Sequence, residues 1–132
     1  MRARLEDAEQ IALMNWARLV SVGERTLFDY LLHCPNGGWR SPIEAARFKA
    51  MGVKPGIPDI LLPIRTSQYG AGWWELKVGD NKPTQHQLEW HATLRACGHY
   101  VQTYWHWGEA AKDILRYLDH GPFTIVVRAK LS

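Results

Sequence analysis

A chain of 132 residues with 46% hydrophobic side chains has single-domain size and enough apolar content to bury a core, which excludes intrinsic disorder. The net charge of +3 is a modest basic excess, compatible with a nucleic-acid partner but no argument for one by itself. No internal repeat or low-complexity tract occurs, so one domain over residues 1–132 is expected.

Leu13, Trp16, Ala17 and Val20 recur at helical spacing, and after Gly23 the pattern resumes at Leu27, Phe28, Leu31 and Leu32. Two helical segments are therefore expected to open the chain. Ser41-Pro42-Ile43-Glu44 reads as a further helix start, with Ser as N-cap, Pro at N1 and Glu at N3, and Gly52 as the stop. Asp59 to Ile64 and Trp73 to Val78 read as strands, joined through Arg65 to Gly72 as a hairpin. A helix is expected from Thr84 to Gly98, a strand over His99 to Tyr104, a helix over Glu109 to Leu118 and a last strand over Phe123 to Val127.

No apolar run approaches the roughly 20 residues that span a bilayer, and Met1 to Asp7 lacks the apolar core of a signal peptide, so a cytoplasmic protein is expected. Cys34 and Cys97 are too few for a disulfide framework, and neither forms a close Cys/His pair with zinc-finger spacing. His86, His91, His99 and His106 read as surface or cap-proximal histidines.

The chemistry concentrates in Gly56-Ile57-Pro58-Asp59-Ile60-Leu61-Leu62 and Trp73-Trp74-Glu75-Leu76-Lys77-Val78. Alternate strand residues share a face, so Glu75 and Lys77 lie opposite Trp74, Leu76 and Val78. Two carboxylates at the edge of a packed sheet cost solvation free energy that a divalent metal would offset. Mg²⁺ takes oxygen ligands and retains waters, so Asp59, Glu75 and the Leu76 backbone carbonyl could hold it while Lys77 orients an attacking water. Phosphodiester hydrolysis is the reaction this predicts. Each piece also has a bland reading: Asp after Pro serves turns, and Glu75 with Lys77 could be a solvated face. The apolar context of both runs favours the chemical one.

Cys34-Pro35-Asn36-Gly37-Gly38-Trp39-Arg40, Glu44 to Lys49, Gly52 to Asp59, Glu75-Leu76-Lys77 and Gln87 together resemble the VRR-Nuc family, a branch of the PD-(D/E)xK nucleases. The similarity runs from Leu5 to Leu118, and stand-alone members of this size are typically carried by phages and prophages in bacterial hosts. The resemblance implies an α/β fold with a PD-(D/E)xK restriction-endonuclease-like core, a mixed β-sheet flanked by helices. It implies Asp59 and Glu75 as metal-binding carboxylates, Lys77 as catalytic lysine, and Gln87 as a glutamine bordering the active site. Glu6 fits the family's N-terminal helix glutamate better than Glu9, although an acidic residue in a first turn is also favoured by the helix dipole. Gln87 equally completes a capping box with Thr84.

The expected function is a Mg²⁺- or Mn²⁺-dependent, structure-selective DNA endonuclease acting on branched DNA such as Holliday junctions. The alternatives are a nuclease for flap or duplex DNA, or a non-catalytic DNA-binding module, against which the intact Asp59, Glu75 and Lys77 count. Arg40, Arg47, Lys49, Lys54 and Lys82 flank the site and could neutralise phosphates. Seven tryptophans are many for so small a core; Trp39, Trp73, Trp74, Trp90, Trp105 and Trp107 are candidates for base stacking, though core or interface roles are commoner. The apolar excess and the habit of minimal VRR-Nuc proteins suggest a homodimer.

Overall fold

The computed structural model describes residues 2–35 and 40–128. Asn36 to Trp39, part of the family-like motif and including one stacking candidate, lie outside the described residues.

The first helix, α1 (Arg2–Ala17), buries Leu13, Trp16 and Ala17 and then stops. Val20 does not extend it. It opens a short strand, β1 (Val20–Val22), whose alternating burial of Val20 and Val22 satisfies a two-residue period as well as Val20 satisfies the helical one. Gly23, at φ 59°, turns the chain into β2 (Arg25–Thr26). The second expected helix shrinks to one turn, α2 (Leu27–Tyr30), because Leu31 adopts an extended conformation and Leu32 and His33 become β3 (Leu32–His33). A distant partner strand takes up their backbone hydrogen bonds, which overrides the local helical spacing.

The third helix, α3 (Pro42–Ala50), is capped as the sequence predicts, with Ser41 Oγ accepting from the Glu44 N–H at 3.2 Å. Then follow β4 (Ile60–Leu62), β5 (Gly72–Leu76), α4 (Gln85–Ala96), β6 (Tyr100–Tyr104), α5 (Trp107–Leu118) and β7 (Ile125–Val127). They form two sheets. The larger has the order β3-β4-β5-β6 and is mixed: β4 pairs antiparallel with β3 and β5, whereas β5 and β6 run parallel, with Leu76 opposite Tyr104. The smaller has the order β2-β1-β7, and the C-terminal strand therefore joins the N-terminal hairpin rather than the main sheet.

The alternation of β5 decides what each face carries. Trp74, fully buried, donates from Nε1 to Asp113 Oδ2 of α5 at 3.0 Å and packs edge-on against Tyr117. Asp113 Oδ2 also accepts from the Tyr100 hydroxyl at 2.7 Å, and Arg116 lies 3.1 Å from Oδ1, so this buried carboxylate is fully partnered. Glu75 points to the opposite face, toward α4. The core on the Trp74 side joins Leu13 and Trp16 of α1, Ile60 and Leu62 of β4, Leu76 and Ile114, each worth about 1.5–3 kcal/mol when fully buried.

Gly56 sets how closely the loop before Asp59 can approach α4. Its φ is 93°, and a Cβ there would lie 2.6 Å from the His86 carbonyl carbon. Gly56→Ala should therefore destabilise the protein by about 2–4 kcal/mol in urea denaturation, combining backbone strain with a clash against a helix that cannot yield. Wild-type stability in that variant would show that the loop has no need of glycine.

Candidate metal and nuclease site

Asp59 immediately precedes β4, and its carboxylate reaches across to the neighbouring strand, where Oδ2 accepts from the Leu76 N–H at 2.9 Å. Glu75 stands one residue earlier on β5 and is only 1% exposed. Lys77, just past the strand, is buried as well, and its N–H donates to the Tyr104 carbonyl at 2.9 Å. These three residues and Leu76 are thus gathered at one end of the main sheet. Glu6, Asp59 and Leu76 also line one cavity of about 200 Å³.

Burial is the leading reason the Asp59 carboxyl is pushed up to about 7; the adjacent Glu75 carboxyl adds to it, while the Leu76 N–H and Lys77 pull the other way. Glu75 is raised too, first by burial and further by the charge of Glu6, with the Asp59 hydrogen bond and Lys77 opposing. Two desolvated carboxyls side by side cannot both ionise without a compensating cation.

Among the described residues, no three His, Cys, Asp or Glu side chains form a group able to hold a metal ion. A cation here would rest on two carboxylates, a backbone carbonyl and retained water, which is a donor set for Mg²⁺ or Mn²⁺ rather than zinc. The residues fit such an ion, because Glu75 Oε1 is buried and has no hydrogen-bond partner.

Glu6 and Glu9, adjacent candidates by sequence, have separate surroundings. Glu6 Oε1 accepts from Asn81 Nδ2 at 3.3 Å, whereas Glu9 Oε2 accepts from the Trp107 N–H at 3.4 Å, away from Asp59. Because α1 begins at Arg2, Glu6 falls in the second turn, where the dipole explanation weakens.

Gln87 joins the two roles its position suggested. Its Oε1 accepts from the Thr84 N–H at 2.8 Å, and its own N–H donates to Thr84 Oγ1 at 3.2 Å, closing the capping box. The other end of the same amide donates from Nε2 to Glu75 Oε2 at 3.3 Å.

Two histidines enter this region without standing out in the sequence. His91 is no surface residue: it is 3% exposed, and its Nε2 lies 3.5 Å from Glu75 Oε1. Its spacing of one helical turn from Gln87 was the available signal. His33, on β3, contacts the Asp59 carbonyl through Nδ1 at 3.1 Å and lines the same cavity; only the pairing of β3 with β4 brings it there. His106 is a cap, its Nδ1 accepting from the Gly108 N–H at 3.0 Å.

Of the tryptophans considered for stacking, Trp74 is core, Trp73, Trp90 and Trp107 are half-buried, and Trp105 is 43% exposed with its Nε1 fixed on the Asn81 carbonyl at 2.7 Å. A separate hollow of about 260 Å³, lined by Tyr69, Tyr100, Tyr117 and Asp113, lies toward the other end of the sheet, where Asp113 is already satisfied.

Without metal, the Asp59 carboxyl keeps its proton up to a pH of about 7 in the folded state but only up to 3.8 when unfolded. The folded protein binds the extra proton within that window, so stability falls as pH rises through it. Asp59→Asn should flatten this part of the curve in EDTA and exceed wild-type stability above the window, as read by urea denaturation. An unchanged slope would remove Asp59 as its source. Gln87→Glu should keep the bond to the Thr84 N–H but set a second carboxylate against Glu75, costing about 1–3 kcal/mol at neutral pH and little in acid. Equal loss at both pH values would point to the cap instead.

No family model and no curated protein sequence matches the chain. A solved structure of a VRR_NUC domain protein does: it is 31% identical, with a TM-score of 0.79 over 96% of this chain and 97% of that one. Extending over nearly the whole of both chains, this likeness shows that the chain belongs to the VRR_NUC domain family.

Proposed function

We propose that the chain, with residues 1–132 acting as one nuclease domain, is a Mg²⁺- or Mn²⁺-dependent endonuclease that hydrolyses phosphodiester bonds in branched DNA such as Holliday junctions. The observation that carries the reading is the convergence of half-buried Asp59 with buried Glu75 and Lys77 at one sheet end, with a Glu75 carboxylate oxygen left unpartnered. Such a group is costly to maintain unless a cation uses it. Asp59, Glu75 and the Leu76 carbonyl hold the ion. The bound ion supplies Lewis-acid stabilisation of charge growing on the phosphoryl oxygens. Lys77 orients the attacking water, Gln87 steadies Glu75, and Glu6 adds negative charge to the lining of the cavity.

The surface supports nucleic acid as partner. Helix α3 buries none of its residues, and Arg40 and Arg47 lie over the Phe48 ring at 4.5 and 5.7 Å. Lys49, Lys54 and Lys82 are also exposed and available to neutralise phosphates. Because no recognition helix for base edges is evident among the described residues, selectivity rests on DNA shape. A homodimer would set two such sites in fixed relation and allow paired cuts in a branched substrate. Exposed Leu32, Trp105, Phe123, Val126 and Val127 supply apolar surface for such an association.

Asp59→Ala, Glu75→Ala and Lys77→Ala should each lower cleavage at least about a hundredfold while the protein stays folded. The assay is a panel of labelled junction, flap, splayed and linear DNA with Mg²⁺, Mn²⁺ or EDTA. Wild-type turnover in any of the three variants sinks the assignment, and preference for flap or linear DNA replaces the junction reading. Light scattering should give a mass near twice 15.2 kDa. A monomeric mass with and without DNA would reject the paired-cut arrangement.

A further inference from the structure

Glu75 is approached by two residues of α4 that lie one turn apart, so they face the same carboxylate. Gln87 Nε2 donates to Oε2 at 3.3 Å. His91 Nε2 stands 3.5 Å from Oε1, and both of those atoms are buried without a hydrogen-bond partner. Two facing unpartnered atoms each carry a desolvation cost that a made bond would offset. An ionised carboxylate can only accept, so the proton that would join them must sit on the imidazole. A gap of this size is roughly half an ångström beyond hydrogen-bond length, which a small rotation of ring or carboxylate closes. An apolar side chain would fill the same buried place without the penalty, so simple packing gives no reason for histidine here.

We propose that His91 is a positioning residue for Glu75, donating from Nε2 to Oε1 and completing, with Gln87, a two-point hold of α4 on that carboxylate. The inference rests on the reading of Asp59 and Glu75 as the cation-binding pair. Each carboxylate oxygen has a second acceptor site, so a carboxylate held in this way remains able to bind an ion. Fixing it from behind reduces the orientational freedom it loses when the ion arrives. Outer partners of metal ligands are typically worth ten- to hundredfold in affinity or rate.

The test compares His91→Leu and His91→Met, which lack the donor, with His91→Gln, whose amide reaches a similar position. Calorimetry with Mn²⁺ alone should show binding about ten- to hundredfold weaker in the Leu and Met variants and within a few-fold of wild type in the Gln variant. On DNA, kcat should fall in parallel while KM stays unchanged. If neither apolar variant folds, long-range proton–nitrogen NMR on the wild-type protein decides: the His91 proton should reside on Nε2. A proton found only on Nδ1, or wild-type Mn²⁺ binding in the Leu and Met variants, would overturn the proposal. Asp59→Ala and Glu75→Ala separate the two readings. If they lose Mn²⁺ binding while His91→Leu keeps it, only the positioning role fails; if they too bind and cleave normally, the nuclease site itself fails.

Discussion

The constraint on which the site depends is the cost of keeping Asp59 and Glu75 side by side out of water. A lone buried carboxylate is protonated or paired, and here neither solution is complete: one is pushed up to about 7 and the other keeps an oxygen with no partner. Every neighbouring element is recruited to contain that cost. The Leu76 N–H takes one Asp59 oxygen, Gln87 takes one Glu75 oxygen, and Lys77 opposes the charge of both.

The same strand shows the contrast within one fold. Trp74 and Glu75 are neighbours in sequence and point to opposite faces of β5. On the Trp74 side, Asp113 has donors from Trp74 and Tyr100 and an ion pair with Arg116, so it knits α5 to the sheet and leaves nothing for a ligand. On the Glu75 side the polar balance is left open. A satisfied carboxylate stabilises; an unsatisfied one is expensive, and is retained where chemistry needs it.

Helix α4 carries more of the site than its position in the chain suggests. Its capping box fixes the first turn, and the same Gln87 amide that closes the box reaches Glu75. Gly56 lets the preceding loop lie against that first turn at a distance no side chain would permit. Loop, helix start and strand end are thereby fixed to one another, which limits how far Asp59 and Glu75 can shift relative to each other.

What the sequence determined was the local and the periodic. The caps at Ser41 and Thr84, the hairpin placing Asp59 opposite β5, and the alternation separating Glu75 from Trp74 all follow from nearest neighbours and a period of two. The grouping of Asp59, Glu75, Leu76 and Lys77 was legible for that reason, whereas the family and its mixed-sheet fold were legible only through the resemblance of the motifs taken together. What only tertiary structure decided involves partners far apart in the chain. Val20 and Leu32 matched a helical spacing, yet β7 and β4 claimed them, because ladder hydrogen bonds with distant strands outweigh weak propensity. The separation of Glu6 from Glu9, the arrival of His33 beside Asp59 and the burial of His91 against Glu75 depend on how helices and edge strands dock. No spacing along the chain encodes that docking; it is set by which apolar faces must be covered at once.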